Sequence, residues 1–234
     1  MGVEYILYIL CIIALLFAVY AQIRVQSTFN KYSAYYTNGG TAAEVARRIL
    51  DGAGLSDVRI ERVFGSLTDH YDPRARALRL SESVYDSSSA AAVGVAAHEC
   101  GHAIQHAEGY FPIRLRGFLV PITSFASRFN WIVIMLGILF MAFDSLLGYY
   151  VVLFGIGLFL VTTVFQLVTL PCEFNASSRA LSALRSTNNY TNDELALSKR
   201  VLTSAALTYV ATLLVSLLQL LRLVLRFAGR GRRR

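Results

Sequence analysis

Four stretches of this chain carry no charged side chain: Tyr5 to Ile23, Trp131 to Phe143, Leu146 to Leu170 and Leu202 to Leu221. A helix needs about 20 apolar residues to cross the hydrocarbon core of a bilayer, and three of the stretches have that length or nearly so. The second is short. It becomes long enough if its helix begins near Phe118, with Pro121 in the first turn and Arg128 snorkelling or facing protein. Elsewhere the sequence is polar, so the pattern predicts four transmembrane helices and one soluble domain.

The first stretch also fits a cleaved signal peptide, with Val19 and Ala21 as its −3 and −1 residues. However, "MGVEY" lacks the basic start such peptides use, so the stretch is read as a retained anchor. Net charge is +7, and six arginines lie between Arg222 and Arg234. Directly after an apolar helix, such a tail belongs on anionic lipid headgroups. No aromatic-interleaved basic surface or nucleic-acid motif accompanies it, so no nucleic-acid partner is expected. Cys11, Cys100 and Cys172 are too scattered for a disulfide framework and read as small buried apolar residues.

Within the polar part, Thr41 and Glu44 form a capping-box pair ahead of an amphipathic helix with Val45, Ile49 and Leu50 on its apolar face. "DVRIERVF" and "RALRLS" alternate as strands do, "LTDHYDP" is turn-rich, and serines 87 to 89 offer caps for a buried helix that stops at Gly109.

That helix contains "AAHECGHAIQH", residues 96 to 106, which holds three of the four histidines. Residues four apart share a helix face, so His98 and His102 can reach one ion at about 2.0–2.1 Å each. Glu99 lies about 100° round the helix, beside the metal, where its carboxylate can take a proton from water. This is the arrangement of a zinc hydrolase with one catalytic Zn²⁺. A surface helix with fortuitous histidines would have charged neighbours, whereas Ala96, Ala97, Ala103 and Ile104 are uncharged, and Gly101 leaves room for close packing. His106 lies about 12 Å along the axis from His98, too far to share the ion. It is read as supporting the site or as plain surface. In "LPCEFNASSRAL", Pro171 stands where the third membrane helix is expected to end. The preceding hairpin returns the chain to the face it left, so Glu173 emerges on the side of His98. It is either the third ligand or a helix-initiating acid after proline.

"LTDHYDP", "LRLS", "AAHECGHAIQHAEGY", "FQLVTLPCEFNASSRAL" and "VLTSAALTYVA", in this order, closely resemble the YugP-like neutral zinc metallopeptidases of bacterial membranes. The resemblance runs from about residue 25 to 225. The chain is more distantly similar to the HtpX and CAAX-prenyl endopeptidases, where a glutamate in an E-x-x-A-D segment completes HExxH. Glu173 and Ala176 match that segment, which implies Glu173 as third zinc ligand. Ser177 stands where the aspartate would be, leaving a zinc histidine without the usual carboxylate support. Cys100 occupies a site more often aliphatic in the family and faces away from the metal. The resemblance also marks His70 as an important, catalytic position, for the oxyanion or for orienting Glu173; a turn residue bonded to backbone is the alternative. The "ALRLS" strand is a candidate edge for an extended substrate.

The expected fold class is therefore a mainly α membrane protein, with four transmembrane helices plus a small α+β zincin-like metallopeptidase domain. The expected organisation is an anchor over 1–25, a catalytic domain over 26–115, a transmembrane hairpin over 116–170, a third-ligand segment over 171–200, and a last helix with basic tail over 201–234. The expected function is a membrane-embedded zinc metalloendopeptidase acting on membrane-associated protein or peptide substrates. A zinc-holding scaffold has no use for Glu99 as a base, and a transporter would place ionisable groups at mid-membrane, where the uncharged stretches offer none. Arg24 and Lys31 after the first helix, with Arg114, Arg116, Lys199 and Arg200, favour a cytoplasmic catalytic domain in a bacterial cell membrane, while the "RGRRR" tail argues the opposite.

Overall fold

The computed structural model describes residues 2–143 and 145–228. The expected "RGRRR" tail, residues 230–234, lies outside them. The chain forms two compact units, one of residues up to Tyr20, Leu115–Leu170 and those from Tyr209 on, the other of Ala21–Arg114 and Pro171–Thr208.

Among the described residues, four helices are long and apolar enough to cross a membrane: α1 (Gly2–Tyr32), α5 (Phe111–Ala142), α6 (Leu146–Ser186) and α7 (Asn192–Ala228). In the first unit their outer faces expose large apolar side chains, such as Ile9, Ile13 and Leu16 on α1 and Ile132, Met135 and Leu139 on α5. Water would not tolerate so wide an apolar surface; lipid does. Between helices there is no hydrophobic gain over lipid, so close approach and polar ties hold the unit together. A Cβ at Gly148 would lie 2.5 Å from the Met141 nitrogen, and one at Gly137 would lie 2.6 Å from that of Val152. These glycines let α5 and α6 touch backbone to backbone. Ile134, Val152, Ile156, Phe159, Leu223 and Phe227 fill the interior, and Ser216 donates to Gln166 Oε1 at 2.8 Å.

Two expectations about these helices are corrected. Helix α5 begins at Phe111 rather than near Phe118, so Pro121 lies in its interior instead of its first turn. Helix α6 does not end at Leu170: it continues through Pro171 to Ser186. Proline removes one backbone donor, and a long helix packed on a neighbour tolerates that loss.

The second unit gathers α2 (Ala42–Gly52), β1 (Arg59–Val63), β2 (His70–Asp72), β3 (Ala77–Ser81), α3 (Glu82–Tyr85) and α4 (Ala90–Ala107). The capping box forms as expected: Thr41 N–H donates to Glu44 at 2.9 Å, and Glu44 N–H donates to the Thr41 hydroxyl at 3.3 Å. Ser89 caps α4 by accepting from Ala92 N–H at 3.2 Å. At the other end Gly109 takes a positive φ of 66°, and Tyr110 N–H closes on the Gln105 carbonyl at 2.9 Å. That left-handed turn is why the helix stops at a glycine.

The sheet order is β1-β3-β2, with β1 parallel and β2 antiparallel to β3. "ALRLS" is therefore the central strand and not an edge, and "LTDHYDP" contributes a strand as well as a turn. Ile60, Leu78 and Tyr71 share one row of the sheet, and Glu61, Arg79 and His70 share the next. Successive side chains point to opposite faces, so the first row packs into the core while Arg79 ties Glu61 and Asp72 together at 3.1 and 2.8 Å on the outer face.

Helix α4 runs through this core. Gly94 lets α7 approach, where the Ser198 hydroxyl donates to the Ala90 carbonyl at 3.0 Å. Gly101 does the same for α6: a Cβ there would lie 2.5 Å from the Ala176 carbonyl oxygen. Backbone cannot yield as a side chain does, so Gly101→Ala must separate the helices. We expect a loss of about 1–3 kcal/mol of stability, read as a lowered midpoint in detergent unfolding; an unchanged midpoint would mean that the two helices are not held this close.

Candidate metal centre

Two pairs of residues at four-residue spacing face each other, His98 and His102 on α4 against Glu173 and Ser177 on α6. Glu173 Oε2 lies 3.2 Å from His98 Nε2 and 3.6 Å from His102 Nε2. One donor atom from each of His98, His102 and Glu173 fits within a 4.8 Å span. Ligand atoms about 2.0–2.1 Å from a tetrahedral ion stand about 3.3 Å apart, so the spacing suits one zinc.

The hydrogen bonds behind the rings make the same point chemically. The Gln105 amide nitrogen donates to the Cys172 carbonyl at 2.8 Å and to Asn175 Oδ1 at 2.9 Å. Its oxygen is thereby turned to His102 Nδ1, at 3.0 Å. A carbonyl oxygen only accepts, so Nδ1 carries the proton and Nε2 presents a lone pair. That lone pair faces a carboxylate only 2 % exposed. Two acceptors do not attract each other, and a buried carboxylate requires a counter-charge. A cation between them, a metal or a second ring proton, resolves both problems, and the two-imidazole, one-carboxylate set is that of a catalytic zinc.

The support missing at Ser177 in the sequence is supplied by its hydroxyl, which lies 3.1 Å from His98 Nδ1. Beyond Gln105, Arg179 donates to Asn175 Oδ1 at 2.7 Å and pairs with Glu108 at 2.7 Å. A chain of polar contacts thus runs from His102 to the surface. Gln105, Asn175 and Arg179 escaped the sequence reading. The available signal was spacing, with Gln105 one helical turn after His102 and Asn175 two residues after Glu173.

Glu99 lies on the neighbouring face of α4. Its carboxylate accepts the Tyr71 backbone N–H at 3.1 Å, which ties the helix to β2. Burial pushes this carboxyl above the ordinary glutamate range, opposed by His98 and His102. Asp69 fastens the start of β2, accepting Ser81 N–H at 2.7 Å and the Ser81 hydroxyl at 2.9 Å.

The two remaining histidines lie apart from this group. His70 is exposed in the outer row of the sheet; its Nδ1 bonds the Thr68 carbonyl at 2.8 Å, and its Nε2 lies 3.5 Å from Arg79. His106 is exposed one turn beyond His102, its ring 6.1 Å from that of Tyr71. Cys100 points away from the group, its thiol directed at the Ala46 carbonyl at 3.7 Å, and all three cysteines are buried.

The "Putative membrane protease YugP" of Bacillus subtilis (strain 168) is 48 % identical over 219 residues, covering 93 % of this chain and 95 % of the relative. No solved structure matches the chain. Residues 7–228 match the family described as "Putative neutral zinc metallopeptidase", and the chain, a membrane protein with a His, His, Glu donor set, belongs to that family.

Proposed function

We propose that this protein is a membrane-embedded zinc metalloendopeptidase that cleaves membrane-associated protein or peptide substrates. The observation that carries this reading is the convergence of His98 and His102 Nε2 on the buried Glu173 carboxylate, with Gln105 bonded behind the His102 ring. His98, His102 and Glu173 would hold one Zn²⁺, which when bound supplies Lewis acidity to water and to the substrate carbonyl. Glu99 accepts a proton from the attacking water at its carboxylate and passes it to the leaving amine. Tyr71 N–H holds Glu99 in place beforehand. β2 is the outer strand of the sheet next to that base, and an extended substrate lies alongside it. We assign no step to His70.

Glu99→Gln is expected to keep zinc and lose hydrolysis of casein or of a bilayer-embedded substrate. Glu173→Gln is expected to lose most zinc and all activity, while His106→Gln keeps the greater part of both. Elemental analysis beside the activity assay decides the matter. Residual turnover above a tenth in Glu99→Gln would overturn the base, and a zinc-free His106 variant beside a zinc-replete Glu173 variant would overturn the ligand set.

Gln105→Leu removes the acceptor behind His102 while roughly preserving bulk. Zinc affinity should fall by about 10–100-fold, measured by competition with a chelator; wild-type affinity would mean that the ring orients itself without help.

We further infer that the catalytic side is cytoplasmic, since Arg24, Lys31, Lys199 and Arg200 flank the apolar helices on that side. A cysteine placed at Ser66 should resist impermeant thiol reagents in intact cells and react after lysis; labelling in intact cells would reverse the orientation.

A further inference from the structure

Away from the candidate metal group, α1 and α7 form a concave site within the same unit. Arg24, Ser27, Thr28, Lys31 and Tyr32 of α1 and Arg200 of α7 line a cleft of about 420 Å³. The volume lies in the range of small-ligand sites. Arg24, Ser27, Thr28 and Lys31 follow one another at helical spacings of three, one and three, so they share one face of α1. Tyr32 gathers the charges: Arg200 donates to its hydroxyl at 3.1 Å, and the Lys31 ammonium lies 5.6 Å from its ring centre.

None of the six lining residues is acidic. Three cations thus converge with two aliphatic hydroxyls, a donor set that matches an oxyanion with several acceptor oxygens. Ser27 donates to the Arg24 carbonyl at 3.1 Å, a bond that a rotation of its hydroxyl exchanges for a ligand oxygen. Placement along the helices narrows the class. Arg24 directly follows the uncharged run Tyr5 to Ile23, and Arg200 stands two residues before the run Leu202 to Leu221. Both helices therefore reach the cleft where they leave hydrocarbon, at headgroup depth.

We propose that this cleft binds the phosphodiester of an anionic membrane lipid, with Arg24, Lys31 and Arg200 neutralising the phosphate and the Ser27 and Thr28 hydroxyls donating to it. The shared chemistry is a phosphoryl oxyanion, and free phosphate is the other source of it.

The test uses the full chain in detergent, with native mass spectrometry reading occupancy. Dioleoylphosphatidylglycerol, dioleoylphosphatidylcholine and sodium phosphate are titrated separately. Phosphatidylglycerol is expected to bind at one site, at least about tenfold more tightly than phosphatidylcholine, and to resist millimolar phosphate. Arg24→Gln combined with Lys31→Gln should weaken it by about thirty-fold, and Lys31→Gln alone by about fivefold, as expected for loss of two charges or one near an anionic headgroup. Both side chains are exposed, so the fold should survive, and Arg24→Lys with Lys31→Arg should retain binding. Arg222→Gln, a cation that lies over the Tyr8 ring, serves as control. Equal binding by wild type and the double variant, or an equal loss in Arg222→Gln, overturns the site. Tight binding of phosphate that displaces phosphatidylglycerol overturns the lipid assignment in favour of a soluble phosphate.

Discussion

The metal group depends on the approach of α4 to α6. His98 and His102 lie on one helix and Glu173 on the other, with Glu173 Oε2 3.2 Å and 3.6 Å from the two imidazole nitrogens. Such spacing survives only if the helix backbones are nearly in contact, and at Gly101 they are, since the Ala176 carbonyl occupies the space a side chain would take. Sterics and chemistry therefore share one address. The glycine inside H-E-C-G-H sets the distance between helices, and the histidines on either side of it use that distance.

Much of this was legible in the sequence because the signals were local. A capping pair at Thr41 and Glu44, a glycine stop at Gly109 and histidines four apart each need only a few consecutive residues to be read. Spatial order was less accessible. Alternation identifies "ALRLS" as a strand but does not say what lies on either side of it, and β3 proved central because the three-residue β2 pairs with its second edge. β2 itself is too short to show a period, and it lies among turn residues. Pro171 stands just past the uncharged run, where a membrane helix is expected to end, yet α6 continues past it and carries Glu173, Asn175, Ser177 and Arg179 on ordinary helical turns.

The supporting contacts were illegible for a further reason: they join polar residues whose types have no fixed partner. Gln105 reads as one more polar residue until Cys172 and Asn175 are seen to take its amide hydrogens. Ser177 reads as a loss relative to aspartate until its hydroxyl is found 3.1 Å from His98 Nδ1. The substitution has an electrostatic consequence. A serine behind the imidazole leaves the ring less basic than a carboxylate would, so among the proposed zinc ligands the single negative charge is that of Glu173.

The two halves of the proposed chemistry rest on elements of different stiffness. Every residue assigned to the metal, and every residue behind those, belongs to α4 or α6, helices locked together by backbone contact and a polar chain out to Glu108. The proposed base is tethered differently, since Glu99 is held by one amide of β2, a strand of three residues anchored through Asp69 and by its pairing with β3. A peptide lying alongside β2 would therefore engage the strand that holds the proposed base and leave the proposed metal ligands undisturbed. Binding and proton transfer would then be coupled through Tyr71 N–H, while the geometry of the proposed zinc ligands stays fixed.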